Sequence, residues 1–185
     1  MAFDGEILLW IQDNIRGPIL DSVFKFITSL ANGGILWIAI IAILIISKKY
    51  RYVGIVSAFS LIICNLINTI IIKNIVQRTR PYEVVEGLNK IIDMDNSYSF
   101  PSGHTTVSFA VAIVIFMLMS KKYGISAIIL ATTIAFSRLY VGVHYPTDVL
   151  YAAISSVIMA VITVNIFNKL KEKGKFDRII KEDIA

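Results

Sequence analysis

Five stretches of this chain contain no Asp, Glu, Lys or Arg: Phe26–Ser47, Tyr52–Ile72, Asn96–Ser120, Tyr123–Ser137 and Val149–Asn168. About 20 apolar residues in an α-helix match the hydrocarbon thickness of a bilayer, and most of these runs reach that length. The fourth reaches it when extended through Arg138 to Val141, which requires the arginine to face the protein interior. Inside lipid every backbone polar group must be satisfied within the chain, so runs of this length predict helices. The expected fold is all-α, a polytopic membrane helical bundle of about five transmembrane helices. All four prolines, Pro18, Pro81, Pro101 and Pro146, fall outside the span interiors, as unbroken helical bonding in lipid demands. A chain of 185 residues with 56% hydrophobic and 17% charged residues is too apolar for an ordinary soluble domain and too ordered in pattern for a disordered segment. Its single cysteine, Cys64, lies inside a run and reads as a small buried hydrophobe.

Residues 1–30 differ from the rest. Ile7, Leu8, Ile11 and Ile15 form one helical stripe, and Ile19, Leu20, Val23, Phe24, Ile27 and Leu30 form another, separated by Arg16-Gly17-Pro18. This pattern predicts two N-terminal interfacial amphipathic helices, with a tilted crossing as the alternative. No basic residue precedes Arg16, so a cleavable signal peptide is not expected. Residues 31–168 then make the helical bundle and 169–185 a basic cytoplasmic tail, in one domain over 1–185. With five spans, Lys48, Lys49 and Arg51, then Lys121 and Lys122, then the tail cations Lys169, Lys171, Lys173, Lys175, Arg178 and Lys181 lie on one side. The positive-inside rule makes that side the cytoplasm. The net charge of +5 therefore expresses topology, and its spread between membrane ends argues against nucleic acid as a partner.

The chemistry gathers on the other side, in loops 73–104 and 137–148. Lys73 and, after six intervening residues, Arg80-Pro81 place two cations where a lipid head group sits, Arg offering a fork and Lys a point charge. The bland alternative is a pair of snorkelling cations closing a helix end. Pro101-Ser102-Gly103-His104 is a turn opening a helix; Ser102 can cap it and free N–H groups there suit an anion. Ser137-Arg138 is followed by His144 and, four residues on, Asp148. That spacing lets a carboxylate hold one ring nitrogen and leave the other as nucleophile or base. Read alone, Asp148 is equally a helix-start acid favoured by the macrodipole.

In combination these segments resemble the three motifs of the type 2 phosphatidic acid phosphatase (PAP2) superfamily: Lys, six residues, Arg-Pro; Pro-Ser-Gly-His; and Ser-Arg, five residues, His, three residues, Asp. Each signature position is filled, in order, and all three motifs fall on the same side of the expected membrane topology. The resemblance implies that His144 attacks phosphorus to give a phosphohistidine, that Asp148 orients it, and that His104 protonates the leaving oxygen and then activates water. It implies phosphate binding by Lys73, Arg80, Arg138, Ser102 and Gly103, and structural duties for Pro81, Pro101 and Ser137. No metal and no cofactor are expected.

The implied substrate is a membrane lipid phosphate, cleaved at the extracytoplasmic face of the cell membrane with no obligate protein partner. Undecaprenyl diphosphate is favoured for so small a member, with phosphatidylglycerophosphate or phosphatidate as alternatives because some carrier-lipid members carry Asp where this chain has Gly103. A protein that only binds or transports anionic lipids is the reading of another class, and it would need the cations but neither histidine. Arg78, inside the first motif but not fixed by it, can guide a second phosphate or pair with an acid. Glu83, Glu86, Asp93 and Asp95 read as a solvated loop face.

Overall fold

The computed structural model describes residues 2–93 and 97–174; Asp95, Asn96, Lys175, Arg178 and Lys181 lie outside the described residues. All regular structure among the described residues is helical: α1 (Ala2–Asn14), α2 (Pro18–Leu30), α3 (Ile35–Ile46) and α4 (Arg51–Cys64), then a π-helical stretch Asn65–Ile72 leading into α5 (Lys73–Val76). There follow α6 (Pro81–Val84), α7 (Gly103–Leu118), α8 (Lys121–Tyr140) and α9 (Pro146–Glu172). Three segments, Lys48–Val84, Lys121–Tyr140 and Pro146–Glu172, are long and apolar enough to cross a membrane. The α2 and α3 helices qualify together as a pair bent by 46°, and α7 is a shorter apolar helix.

Two of the uncharged runs are less regular than their composition suggests. Phe26–Ser47 is broken at Asn32-Gly33-Gly34, where Gly33 (φ 58°) and Gly34 (φ 72°) adopt left-handed backbone that only glycine takes without strain. The run beginning at Asn96 becomes helical only at Gly103, where the Ser102 hydroxyl accepts the Thr105 N–H and caps α7. Absence of charge marks what can enter lipid, whereas caps and glycines decide where the helix starts.

The stripe of α1 packs against protein. Leu8 is buried with Leu88 and Tyr145, and Ile11 with Tyr140, Val141 and Val143. On α2, Phe24 stacks on Tyr140 at 4.3 Å, while Ile19 and Phe26 are exposed. The first helix thus covers the end of the bundle formed by the 138–145 turn.

At the centre stands α7, buried along Thr105, Thr106, Ser108, Ala110, Val111, Ala112, Val114 and Ile115 and packed by α4, α8 and α9. Lipid tails are as apolar as leucine, so helices in a bilayer are held by close packing and interhelical hydrogen bonds. Both are present. Trp37 Nε1–H donates to Ser108 Oγ at 2.8 Å, Ser60 Oγ–H to the Ala110 carbonyl at 2.8 Å, and Asn68 Nδ2 to Ser155 Oγ at 2.8 Å. Large side chains point outward instead, with Ile154, Ile158, Ile162 and Ile166 forming a half-exposed row along α9.

Short turns make α3/α4 and α7/α8 antiparallel hairpins, so the described cations Lys48, Lys49, Arg51, Lys121, Lys122, Lys169, Lys171 and Lys173 gather at one end. The 77–102 loop, the start of α7, the end of α8 and the start of α9 gather at the other.

Helix contact is closest at two glycines. A Cβ on Gly54 would stand 2.7 Å from the Ile45 backbone nitrogen, and one on Gly124 would stand 2.7 Å from Phe116 Cα. Gly54→Val and Gly124→Val are therefore expected to destabilise by about 1–3 kcal/mol, the usual scale of overpacking. Thermal unfolding in detergent should show both below wild type, with Gly17→Ala unchanged because nothing lies within 4 Å of that Cβ.

Candidate active site

The loop after α5 leaves its helix at Gln77, the one non-glycine residue with positive φ (49°) among the described residues, and runs as Arg78-Thr79-Arg80 into Pro81. The 97–102 loop follows it, with the Ser99 N–H donating to the Arg78 carbonyl at 2.7 Å. The end of α8 supplies Arg138. Gly142 (φ 78°) then turns the chain where a Cβ would meet Arg16 Nη2 at 2.7 Å and the Asn89 carbonyl at 2.9 Å, and His144 follows just before α9. At the start of α9, the Asp148 carboxylate caps the helix by accepting the Tyr145 N–H at 2.9 Å. The Asp148 carbonyl accepts the Ser102 N–H at 3.3 Å, tying the starts of α7 and α9 together.

Around that anchor the ionisable groups are almost dry: Asp148 is 0% exposed, Arg138 1%, His144 2% and Arg80 3%. Buried charges persist only when paired and hydrogen-bonded. Asp148 Oδ2 accepts from Ser99 Oγ at 2.5 Å and Oδ1 from Arg78 Nη1 at 2.6 Å, while His144 Nδ1 lies 3.5 Å from Oδ2. Arg80 donates to the Ser97 carbonyl at 2.9 Å, the Val143 carbonyl at 2.8 Å and Ser97 Oγ at 2.8 Å. Its Nη1 also lies 3.2 Å from His144 Nε2. A guanidinium carries donors only, so Nε2 must present its lone pair and the imidazole proton sits on Nδ1, facing Asp148. Burial, reinforced by the Arg80 and Arg138 charges and only partly offset by Asp148, pulls the His144 pKa down to about 3. At neutral pH this ring is an uncharged imidazole with a directed lone pair, the form that can attack an electrophile.

The other expected residues surround this pair in different ways. Lys73 donates to the Tyr98 carbonyl at 2.9 Å, and Arg138 Nη1 donates to Thr28 Oγ1. The Ser102 hydroxyl is engaged in capping, accepting from Thr105 Oγ1 at 3.0 Å as well as from its N–H. Gly103 opens α7, whose first-turn N–H groups have no intrahelical partners. Pro81 begins α6, Pro101 is buried in the loop, and Ser137 donates into its own helix at the Ile134 carbonyl. His104 lies with its Nε2 3.1 Å from Asn32 Oδ1, near enough to His144 to feel a charge on that ring.

Two cavities flank the site. A polar one of about 390 Å³ is lined by Arg78, Thr79, Arg80, Glu83, Ser97 and Tyr98. A more apolar one of about 350 Å³ includes Gly34, Ile38, Leu61, Asn65, Gly103, His104 and Val107. A charged group can therefore sit beside the arginines while an apolar chain lies on the His104 side. Among the described residues no three His, Cys, Asp or Glu side chains gather as a metal site.

Residues beyond the signature positions complete the site. Arg78 pairs with acids: besides Asp148 it bonds Asp4 at 2.9 Å and stacks over the Tyr145 ring at 3.7 Å. Asp4 also accepts from Thr147 Oγ1 at 2.5 Å, so the first helix buttresses the carboxylate that faces His144. Ser97, Ser99, Thr28 and Asn32 stand outside every motif, and their partners are far away in the chain.

A sequence model of the PAP2 superfamily matches residues 53–172. An undecaprenyl-diphosphatase of Sulfolobus acidocaldarius is 30% identical over 150 residues, covering 81% of this chain and 71% of that protein. The undecaprenyl-diphosphatase BcrC of Bacillus subtilis is 31% identical over 151 residues, 78% of this chain and 73% of its own. Among solved structures, a transmembrane PAP2 type phosphatidylglycerolphosphate phosphatase from Bacillus subtilis superposes with a TM-score of 0.76 at 25% identity, covering 91% of this chain and 86% of that one.

The chain has only two histidines, so ¹⁵N-histidine NMR in detergent can follow each, with His144→Ala for assignment. His144 is expected to keep the neutral Nδ1–H signature at pH 5, whereas an ordinary imidazole, with a pKa of about 6.5, is mostly protonated there. A midpoint near 6.5 would contradict the buried, cation-flanked ring.

Proposed function

This chain belongs to the PAP2 superfamily of phosphatases, and we propose that it is a multi-pass membrane lipid phosphatase acting through a phosphohistidine on His144. The observation that carries this is the His144 ring itself, its Nε2 lone pair turned to Arg80 and its Nδ1 toward Asp148. In the first step Nε2 attacks phosphorus and the bond to the lipid oxygen breaks, with His104 giving that oxygen a proton. In the second, His104 takes a proton from water, which displaces the phosphoryl group from Nε2. Asp148 stabilises the imidazolium formed between the steps. Arg80, Arg138 and Lys73, with the Ser102 hydroxyl and the Gly103 amide, hold the phosphoryl oxygens, and phosphoryl transfer depends mainly on such prearranged charge. The cations supply what a metal would otherwise contribute, so catalysis is metal-independent.

Five crossings follow from counting the bent α2–α3 pair, Lys48–Val84, α7, α8 and α9. With the lysine-rich end in the cytoplasm, the site opens at the extracytoplasmic face. The two flanking cavities suit a lipid phosphate, its head group beside Arg80 and its tail toward α3 and α7. Undecaprenyl diphosphate is the favoured substrate, supported by the two relatives named for it. Phosphatidylglycerophosphate is the second reading, favoured by the structural neighbour named for that activity.

Phosphate release by purified protein in detergent with EDTA, offering undecaprenyl diphosphate, phosphatidylglycerophosphate and phosphatidate side by side, tests this. Turnover is expected with EDTA present, vanadate should inhibit as a mimic of five-coordinate phosphorus, and His144→Ala should release no phosphate. Strict dependence on added magnesium would overturn the histidine mechanism, and turnover surviving in His144→Ala would remove the nucleophile.

Arg78→Met separates the two duties open to that arginine. Because its donors are engaged by Asp148 and Asp4, kcat should fall roughly 10- to 100-fold, the scale for partners that orient a reacting side chain, with KM little changed. A rise in KM at constant kcat would mean that Arg78 binds the substrate instead.

A further inference from the structure

His104 lies at the first turn of α7 on the wall of the apolar cavity. Its ring is met from outside the family-matched region. Asn32 stands 72 residues earlier in the chain and brings Oδ1 to 3.1 Å from His104 Nε2. An amide oxygen only accepts, so Nε2 carries the proton in this contact.

The backbone around Asn32 is built to place it there. Helix α2 ends at Leu30, Gly33 and Gly34 turn left-handed, and α3 leaves at 46° to α2. Gly34 is buried, and a Cβ on it would lie 4.0 Å from Val107 Cγ1, one turn past His104. The break is thus seated on the first turns of α7. Four residues before Asn32, buried Thr28 receives Arg138 Nη1, so the end of α2 reaches a phosphate-side cation as well. The Thr28 backbone also lies within hydrogen-bonding reach of the His104 ring, so the chain at the α2–α3 break brings two acceptors to it.

We propose that Asn32 is a positioning residue for the proton-transfer histidine, its Oδ1 holding the Nε2–H of His104 so that Nδ1 exchanges the proton with the substrate. The inference rests on the phosphatase reading and assigns that site a residue from the α2–α3 break. The step balances. The phosphate monoester arrives as its monoanion and hands its proton to Nδ1 of the neutral His104 ring; as the bond from His144 Nε2 to phosphorus forms and the phosphorus–oxygen bond to the lipid breaks, that Nδ1 proton passes to the departing oxygen. What remains is neutral imidazole with its proton on Nε2, the tautomer that Asn32 selects, and Nδ1 is then the base for the attacking water. The arrangement mirrors the other histidine, in which Asp148 faces Nδ1 and Nε2 does the chemistry.

The test uses the full-length protein in detergent with Asn32→Leu, which removes the acceptor, and Asn32→Asp, which keeps an oxygen on the same stem. Two phosphate monoesters serve as probes: phosphatidate, whose alkoxide leaving group needs a proton, and p-nitrophenyl phosphate, whose phenolate does not. Asn32→Leu should lose at least tenfold more kcat on phosphatidate than on p-nitrophenyl phosphate, with KM for phosphatidate unchanged, and Asn32→Asp should recover part of that loss. In ¹⁵N-histidine spectra, His104 should show the Nε2–H tautomer in wild type and Asn32→Asp, and a mixture in Asn32→Leu. Equal losses on both esters, a change confined to KM, or a His104 tautomer unmoved by Asn32→Leu would overturn the proposal. If wild type releases phosphate from neither ester nor from undecaprenyl diphosphate, the phosphatase reading fails, while the tautomer comparison still decides the Asn32–His104 contact.

Discussion

A carboxylate with no exposed surface, Asp148, sets the architecture of the functional end. An ion removed from water must be surrounded by donors, and the donors here come from three separate parts of the chain. Ser99 comes from the 97–102 loop, Arg78 from the loop after α5, the Tyr145 N–H from the turn after α8, and the His144 ring from that same turn. The carbonyl of the same residue receives the Ser102 N–H and fixes where α7 begins. The first helix joins at one remove, through Asp4 on Arg78 and Thr147. Asp148 therefore serves two ends at once, orienting an imidazole and specifying how the loops close over the bundle.

Below that end the fold obeys a different rule. Inside the bundle the residues are small or polar, as with Ser108, Ala110 and Ala112 on α7, while isoleucines face outward along α9. In water this distribution would aggregate; in lipid it lets helices approach until backbones touch, as at Gly54 and Gly124. The rigid small-residue core gives α7 a fixed position, and the position of α7 gives His104 and the Ser102 cap theirs.

The sequence carried the parts of this design that are local or repeated. Uncharged runs announced the apolar helices, and fixed spacing brought Lys73, Arg80, His104, Arg138, His144 and Asp148 to notice, all of which lie at one end of the bundle. Hydropathy was blind to geometry set by single residues, so the break at Gly33-Gly34 inside an uninterrupted apolar run and the late start of α7 came only with the structure. The stripe of α1 was visible as a stripe, but a stripe does not say whether lipid or the 138–145 turn will cover it. Ser99, Asp4, Thr28 and Asn32 were silent for a further reason. Each acts on a partner dozens of residues away, and no spacing within a segment encodes such a pair.

The clearest case is the pair of arginines two positions apart. Arg78 and Arg80 are the same residue type in the same loop, yet Arg78 is neutralised by two carboxylates, whereas the partners of Arg80 are carbonyls, a hydroxyl and the His144 ring. A guanidinium already paired with two acids has little attraction left for an anion. One held in place by neutral oxygens keeps its full charge while losing its freedom to move, which is the condition for stabilising charge that develops on a phosphoryl group. Burial above all, with that charge adding to it, keeps the His144 ring neutral, so in the proposed reaction one arginine both prepares the nucleophile and waits for the anion it attacks. In the proposed reaction, the stability given up by leaving Arg80 without a carboxylate is recovered when a phosphate arrives, which couples substrate binding to the electrostatic completion of the site.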